Sequence, residues 1–141
     1  MNTLLTHQHT NLLASTQIGH MATSDSKGVP RIIPVCFVEV SGNIYSMIDK
    51  KPKVTDMTKL KRLQNILSNP NVSFLIDHYE EDWDKLWYLQ INGKASLIDT
   101  PHSEMHDQLI RKYPPYTVMN VSHQPLIRII PESINLWVNN N

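Results

Sequence analysis

The run "VPRIIPVCFVEV", residues 29–40, restricts this chain more than any other feature. It is apolar at both alternating positions, with Ile33, Val35 and Phe37 on one face and Ile32, Pro34, Cys36 and Val38 on the other. Successive side chains of a strand point to opposite sides, so a strand with one wet face would alternate apolar and polar residues. The pattern predicts a central strand covered twice, by a barrel interior on one side and by a helix or a second subunit on the other. Pro34 adds a condition. A proline donates nothing to a ladder, so the backbone there must be an edge, a bulge, or a place where another group lies against it.

Five further runs read as strands: "IGHMATS", "NIYSMID", "NVSFLID", "LWYLQINGKASLI" and "PLIRIIPESINLWV". Ser41-Gly42-Asn43 supplies a hairpin turn before the second of these. Asn92-Gly93 divides the fourth. It reads as a bulge inside one curving strand rather than a hairpin turn, because the flanking arms "YLQI" and "KASLI" are short. Helical patterns cover residues 7–16, a segment from Thr55 to Leu67 with Met57, Leu60, Leu63 and Leu67 at helical spacing, and a segment capped by Thr100 that runs to Tyr113. No repeat or linker divides the chain, so residues 1–141 are expected to form a single domain: mostly β, a six-stranded antiparallel barrel with two or three flanking helices.

Cys36 is the only cysteine, which excludes a disulfide scaffold and a thiol-rich metal site and points to a reducing, cytoplasmic setting. Nowhere are there about 18 consecutive apolar residues, so no membrane partner is expected. Formal net charge is zero, which argues against nucleic acid as a partner.

That zero is an average of two opposed blocks. Residues 50–62 carry six cations and one carboxylate, and residues 77–84, "DHYEEDWD", carry five carboxylates. Lys51 and Lys53 lie in the loop that enters the second helix; Lys59, Arg62 and Asn65 recur along one of its faces. A helix start flanked by loop lysines and a cationic face suits a phosphate; a solvated helix edge is the plainer reading of the same residues. There are only four glycines and no glycine-rich loop, so side chains would have to hold the anion. The acidic block reads either as a solvated loop anchored by Trp83 and Trp87 or as a lid over an aromatic ligand. "HSEMH" puts His102 and His106 one helical turn apart, without the glutamate position or third ligand of a zinc site, and reads as a surface pair. No serine or cysteine shows a nucleophile motif.

The order of these pieces over residues 18–98, from "IGHMATSDSKGVPRIIPVCF" through "YSMIDKKPK" and "LKRLQNILSNPNVSFLIDHYEEDW" to "YLQINGKASLI", resembles the pyridoxamine-5'-phosphate-oxidase-like split barrels, an FMN-binding barrel group. "DKKPK", "RLQNI" and "NPNVSFLIDHYEEDW" look most like its branch of deazaflavin (coenzyme F420) oxidoreductases. The resemblance implies a homodimer with two cofactor sites at the subunit interface. The cofactor phosphate would lie against Lys51, Lys53, Lys59 and Arg62, and the ring near Ile33, Pro34, Val35, Ile48 and Asp49. Asn65 would support that side, and Trp83 and Trp87 would cover the ring. A flavin or deazaflavin supplies its own hydride chemistry, so no protein nucleophile is needed. If a proton must be delivered, Asp49, His78 and Tyr79 are candidates by residue type alone. The expected function is hydride transfer between F420 and a small conjugated substrate. The alternatives are an FMN-dependent oxidoreductase and a non-catalytic flavin- or haem-binding module.

Overall fold

The computed structural model describes residues 4–48 and 61–139. In chain order the elements are α1 (His7–Ser15), β1 (Gly19–Ser24), β2 (Pro30–Val35), β3 (Val38–Val40), β4 (Asn43–Met47), α2 (Lys61–Ser68), β5 (Asn71–His78), β6 (Trp87–Ile98), α3 (Glu104–Lys112) and β7 (Leu126–Val138). The strands form one curled antiparallel sheet in the order β2-β1-β5-β6-β7-β4-β3. This is the split β-barrel expected from the sequence.

Residues 29–40 differ from the expectation. They form two strands instead of one, broken at Cys36-Phe37, which raises the strand count from six to seven, and those strands are the two edges of the sheet rather than its centre. Proline placement gives the physical reason. Pro30 pairs with Ser24 and Pro34 with His20. A proline cannot donate, so these are the pairs without ladder bonds, and both prolines turn their missing donor toward the open edge. Alternate outward positions of β2 therefore offer no N–H, which blunts the edge against pairing with another chain. The second apolar face that suggested a central strand is only partly covered. Ile32 is 63% exposed, whereas Phe37 is fully buried.

One apolar cluster fills the curl of the sheet, with Met21, Phe37, Ile44, Phe74, Leu89 and Ile91 all buried. Phe37 and Phe74 meet edge to face with centroids 4.9 Å apart. A second cluster, including Val38, Tyr45, Met47, Leu109 and Leu126, lies between α3 and β3-β4. The β3-β4 turn has Ser41 at φ 52° and Gly42 at φ 86°, the left-handed pair of a two-residue hairpin whose twist matches its strands.

The irregularity expected at Asn92-Gly93 is present, and its extra residue lies on the partner strand. Asn92 pairs with Ser133 and Gly93 with Pro131, leaving Glu132 unpaired between them. A proline and a bulge share the place because neither needs the ladder bond there.

Two helix boundaries also differ. α3 starts at Glu104 behind Ser103, later than the Thr100 cap: the Ser103 N–H donates to Nδ1 of the buried His106 at 3.1 Å, tying the first turn to its entry. A backbone N–H can only donate, so Nδ1 is the accepting nitrogen of His106 and Nε2–H donates to the Gln124 carbonyl at 2.8 Å. The expected start of the second helix, with Thr55, Met57, Lys59 and Leu60, lies outside the described residues. Within α2, Leu63 and Ile66 are buried and Leu67 is 63% exposed, so the apolar stripe runs through residue 66 instead of 67.

Candidate cofactor site

The curled sheet brings its two edges near one another, and the chain crosses between them at Cys36-Phe37. Along this seam lies a cavity of about 180 Å³. Ile33, Pro34, Val35 and Cys36 form one wall; Ser46 and Met47 of β4, Arg62 of α2 and Tyr116 complete it. An apolar strip from β2 thus faces a guanidinium and a serine hydroxyl. Arg62 is half-buried and forms no ion pair with a carboxylate among the described residues. Such a donor set suits a ligand with an apolar body and an anionic end.

Of the residues expected from the sequence, Ile33, Pro34, Val35 and Arg62 come together here. Asp49, Lys51, Lys53 and Lys59 lie outside the described residues. Ile48 is fully buried in the barrel core, and its strand neighbours Ser46 and Met47 line the cavity in its place. Asn65 is buried beneath α2, where its Nδ2 donates to Thr23 Oγ1 at 3.0 Å; its Oδ1 has no hydrogen-bond partner among the described residues. It docks α2 onto β1 and does not line the cavity.

Trp83 and Trp87 do not line the cavity either. Trp83 opens a single 3-10 turn between β5 and β6 and is 61% exposed. Trp87 stacks on His78 at 6.2 Å and pairs with Val138, at the far end of the β6-β7 ladder from the Ile98-Leu126 pair. Neighbouring His78 lies 2.8 Å from Glu80, and Tyr79 is exposed. His102 and His106 are not the surface pair expected: they stack at 5.3 Å, with exposed His102 on Asp107, but His106 is fully buried in the α3 cap, where Gln124 accepts from it.

Cys36, Ser46, Met47 and Tyr116 are lining residues that the sequence reading missed. Ser46, a hydroxyl between Tyr45 and Met47 in β4, was the one available signal. Tyr116 lies in the part of the chain beyond the family-like segment.

Tyr113 fixes the seam. The Phe37 N–H donates to its phenol oxygen at 2.9 Å, and the phenol proton is shared between the carbonyls of Gln17 at 2.8 Å and Phe37 at 3.0 Å. Both backbone groups of Phe37, which falls between β2 and β3, are thereby satisfied by a side chain. Lys112 Nζ sits 3.8 Å above the Phe37 ring and donates to the Leu13 carbonyl at 3.2 Å.

Burial pushes the Lys112 ammonium down to about 8 and the Tyr113 phenol up to about 12. Between about pH 8 and 10.5 the unfolded chain binds more protons at this lysine than the folded chain, so stability rises with pH there. Tyr113 acts oppositely: its stabilisation is complete below pH 10 and is lost as pH climbs toward 12. The melting temperature of the wild type is therefore expected to rise relative to Lys112→Met from pH 8 to 10. Parallel melting curves across that window would show that the ammonium is not desolvated.

A family model described as pyridoxamine 5'-phosphate oxidase matches residues 5–138. Among solved structures, the conserved hypothetical protein Rv2991 from Mycobacterium tuberculosis is 18% identical, covering 97% of this chain and 87% of that one, with a TM-score of 0.76. A structure titled F420 reductase is 19% identical over 93% of this chain and 98% of its own, with a TM-score of 0.70. HutZ, the haem storage protein of Vibrio cholerae, is 19% identical over 94% of this chain and 93% of its own, with a TM-score of 0.63. No curated protein sequence matches the chain significantly. The structural likenesses concern the fold.

Proposed function

The chain belongs to the pyridoxamine 5'-phosphate oxidase family, and from that premise we propose that it is an F420-dependent oxidoreductase of the cytoplasm, acting on a small conjugated substrate. What supports the reading is Arg62 set across a cavity from the apolar strip Ile33-Pro34-Val35, in a fold shared with an F420 reductase. A bound deazaflavin supplies the hydride chemistry. The chain's own residues bind and orient: Arg62 and Ser46 hold an anionic or polar part of the cofactor, while Ile33, Pro34 and Val35 exclude water from one face of its ring.

At about 180 Å³ the cavity is smaller than the roughly 300–1,000 Å³ that encloses a drug-sized ligand. One chain therefore grips only part of the cofactor. The remainder is proposed to rest on Asp49, Lys51, Lys53 and Lys59 and on a second copy of the chain, whose Trp83 and Trp87 cover the ring; Asn65 supports α2 from beneath.

The test is a parallel fluorescence titration of the cofactor-free protein with F420 and FMN, with the same samples sedimented. Saturable binding of F420, weaker FMN binding and a dimeric mass are expected. Preference for FMN would replace the cofactor assignment, a clean monomer would remove the shared site, and binding of neither would overturn the proposal. Likeness to a haem storage protein favours one rival, a carrier, which would bind its ligand yet accelerate no reaction at saturation.

A further inference from the structure

A second cavity, of about 230 Å³, lies between α1, β3 and the last turn of α3. We propose that it binds a small monocarboxylate with a short apolar body, held through Arg111 and Lys112. It is distinct from the cofactor site and does not depend on that assignment: its other lining residues are Thr10, Ala14, Val38, Glu39 and Gln108, and the two cavities share no lining residue.

Charge selects the ligand. Arg111 and Lys112 both line the cavity, and neither is ion-paired to a carboxylate among the described residues. Cations in a last turn complement the helix dipole, which accounts for their place on α3 but not for an open cavity bordered by two other elements. Glu39 is the acidic residue of the lining, and its Oε2 accepts from the Gly42 N–H at 2.7 Å. Two cations against one carboxylate leave a single positive charge, matched by a monoanion. A dicarboxylate would bring a second negative charge with no cation of its own to match it. Ala14 and Val38 supply apolar surface for a short hydrocarbon body, and the volume is below that of a drug-sized pocket.

Lys112 reports the binding. Burial holds its ammonium at about 8, and an anion beside it favours the charged form and returns the titration toward its ordinary value.

The probe is isovalerate, with succinate alongside, titrated into the full chain carrying 13C-labelled lysines. Isovalerate is expected to shift the Lys112 ε resonance saturably and to raise its titration midpoint by about one unit or more. Succinate should bind at least about tenfold more weakly. Arg111→Glu, at an exposed position, keeps the fold and should weaken isovalerate about tenfold or more. A Lys112 resonance that does not respond by about 20 mM isovalerate overturns the proposal, since that corresponds to almost no useful affinity. So does an equal response in Arg111→Glu, or tighter binding of succinate.

Discussion

Gly93→Ala is expected to cost about 3 kcal/mol or more, at the upper end of what forced overpacking produces. A Cβ at this position would lie 2.1 Å from the carbonyl oxygen of Ile130 and 2.9 Å from its carbonyl carbon. Both are backbone atoms of β7, so no side-chain rotation relieves the clash. Moving β7 would disturb the β6-β7 ladder, which runs from Trp87-Val138 to Ile98-Leu126. Against a total stability of roughly 5–15 kcal/mol, such a loss leaves a marginal protein. Urea unfolding followed by circular dichroism measures it; a loss under about 1 kcal/mol would mean that the bulge at Glu132 yields, and that β7 is far more plastic than its pairing implies.

The second large effect concerns binding. Arg62→Ala should weaken cofactor binding about ten- to a hundredfold, since a charge-assisted contact contributes roughly 1.5–3 kcal/mol. Folding should be almost unchanged, because Arg62 is only half-buried and forms no ion pair among the described residues. Cofactor fluorescence and a thermal melt on the same samples separate the two quantities. Unchanged affinity in Arg62→Ala and in Lys53→Ala would return the basic block to a solvated helix edge; a large fall in melting temperature would instead mark Arg62 as structural.

Strand positions were legible in the sequence where a run keeps a period of two between turn residues, as in "NVSFLID" and "KASLI". The break at Cys36-Phe37 was not. Its cause is Tyr113, 76 positions along the chain, and apolar patterning carries no trace of a phenol that replaces a ladder. The edge position of β2 was half-legible. Pro34 pointed to an edge, but the doubly apolar pattern pointed to a centre, and the second proline, Pro30, in the same alternate register decides between them. At the site, Ile33, Pro34, Val35 and Arg62 follow from the family-like run, whereas Tyr116 required knowing that the segment after α3 folds back onto the seam.

The seam has a dynamic consequence. Neighbouring strands elsewhere in the sheet part only if a row of backbone bonds breaks together, but at Phe37, where β2 passes into β3, one phenol holds the backbone. Local opening free energies in a protein range from near zero to the global value according to how many such bonds must go at once. The Phe37 amide should therefore exchange with solvent through a small, local opening, long before the β5-β6 ladder does. The crossing between the two sheet edges can thus open without unfolding the barrel.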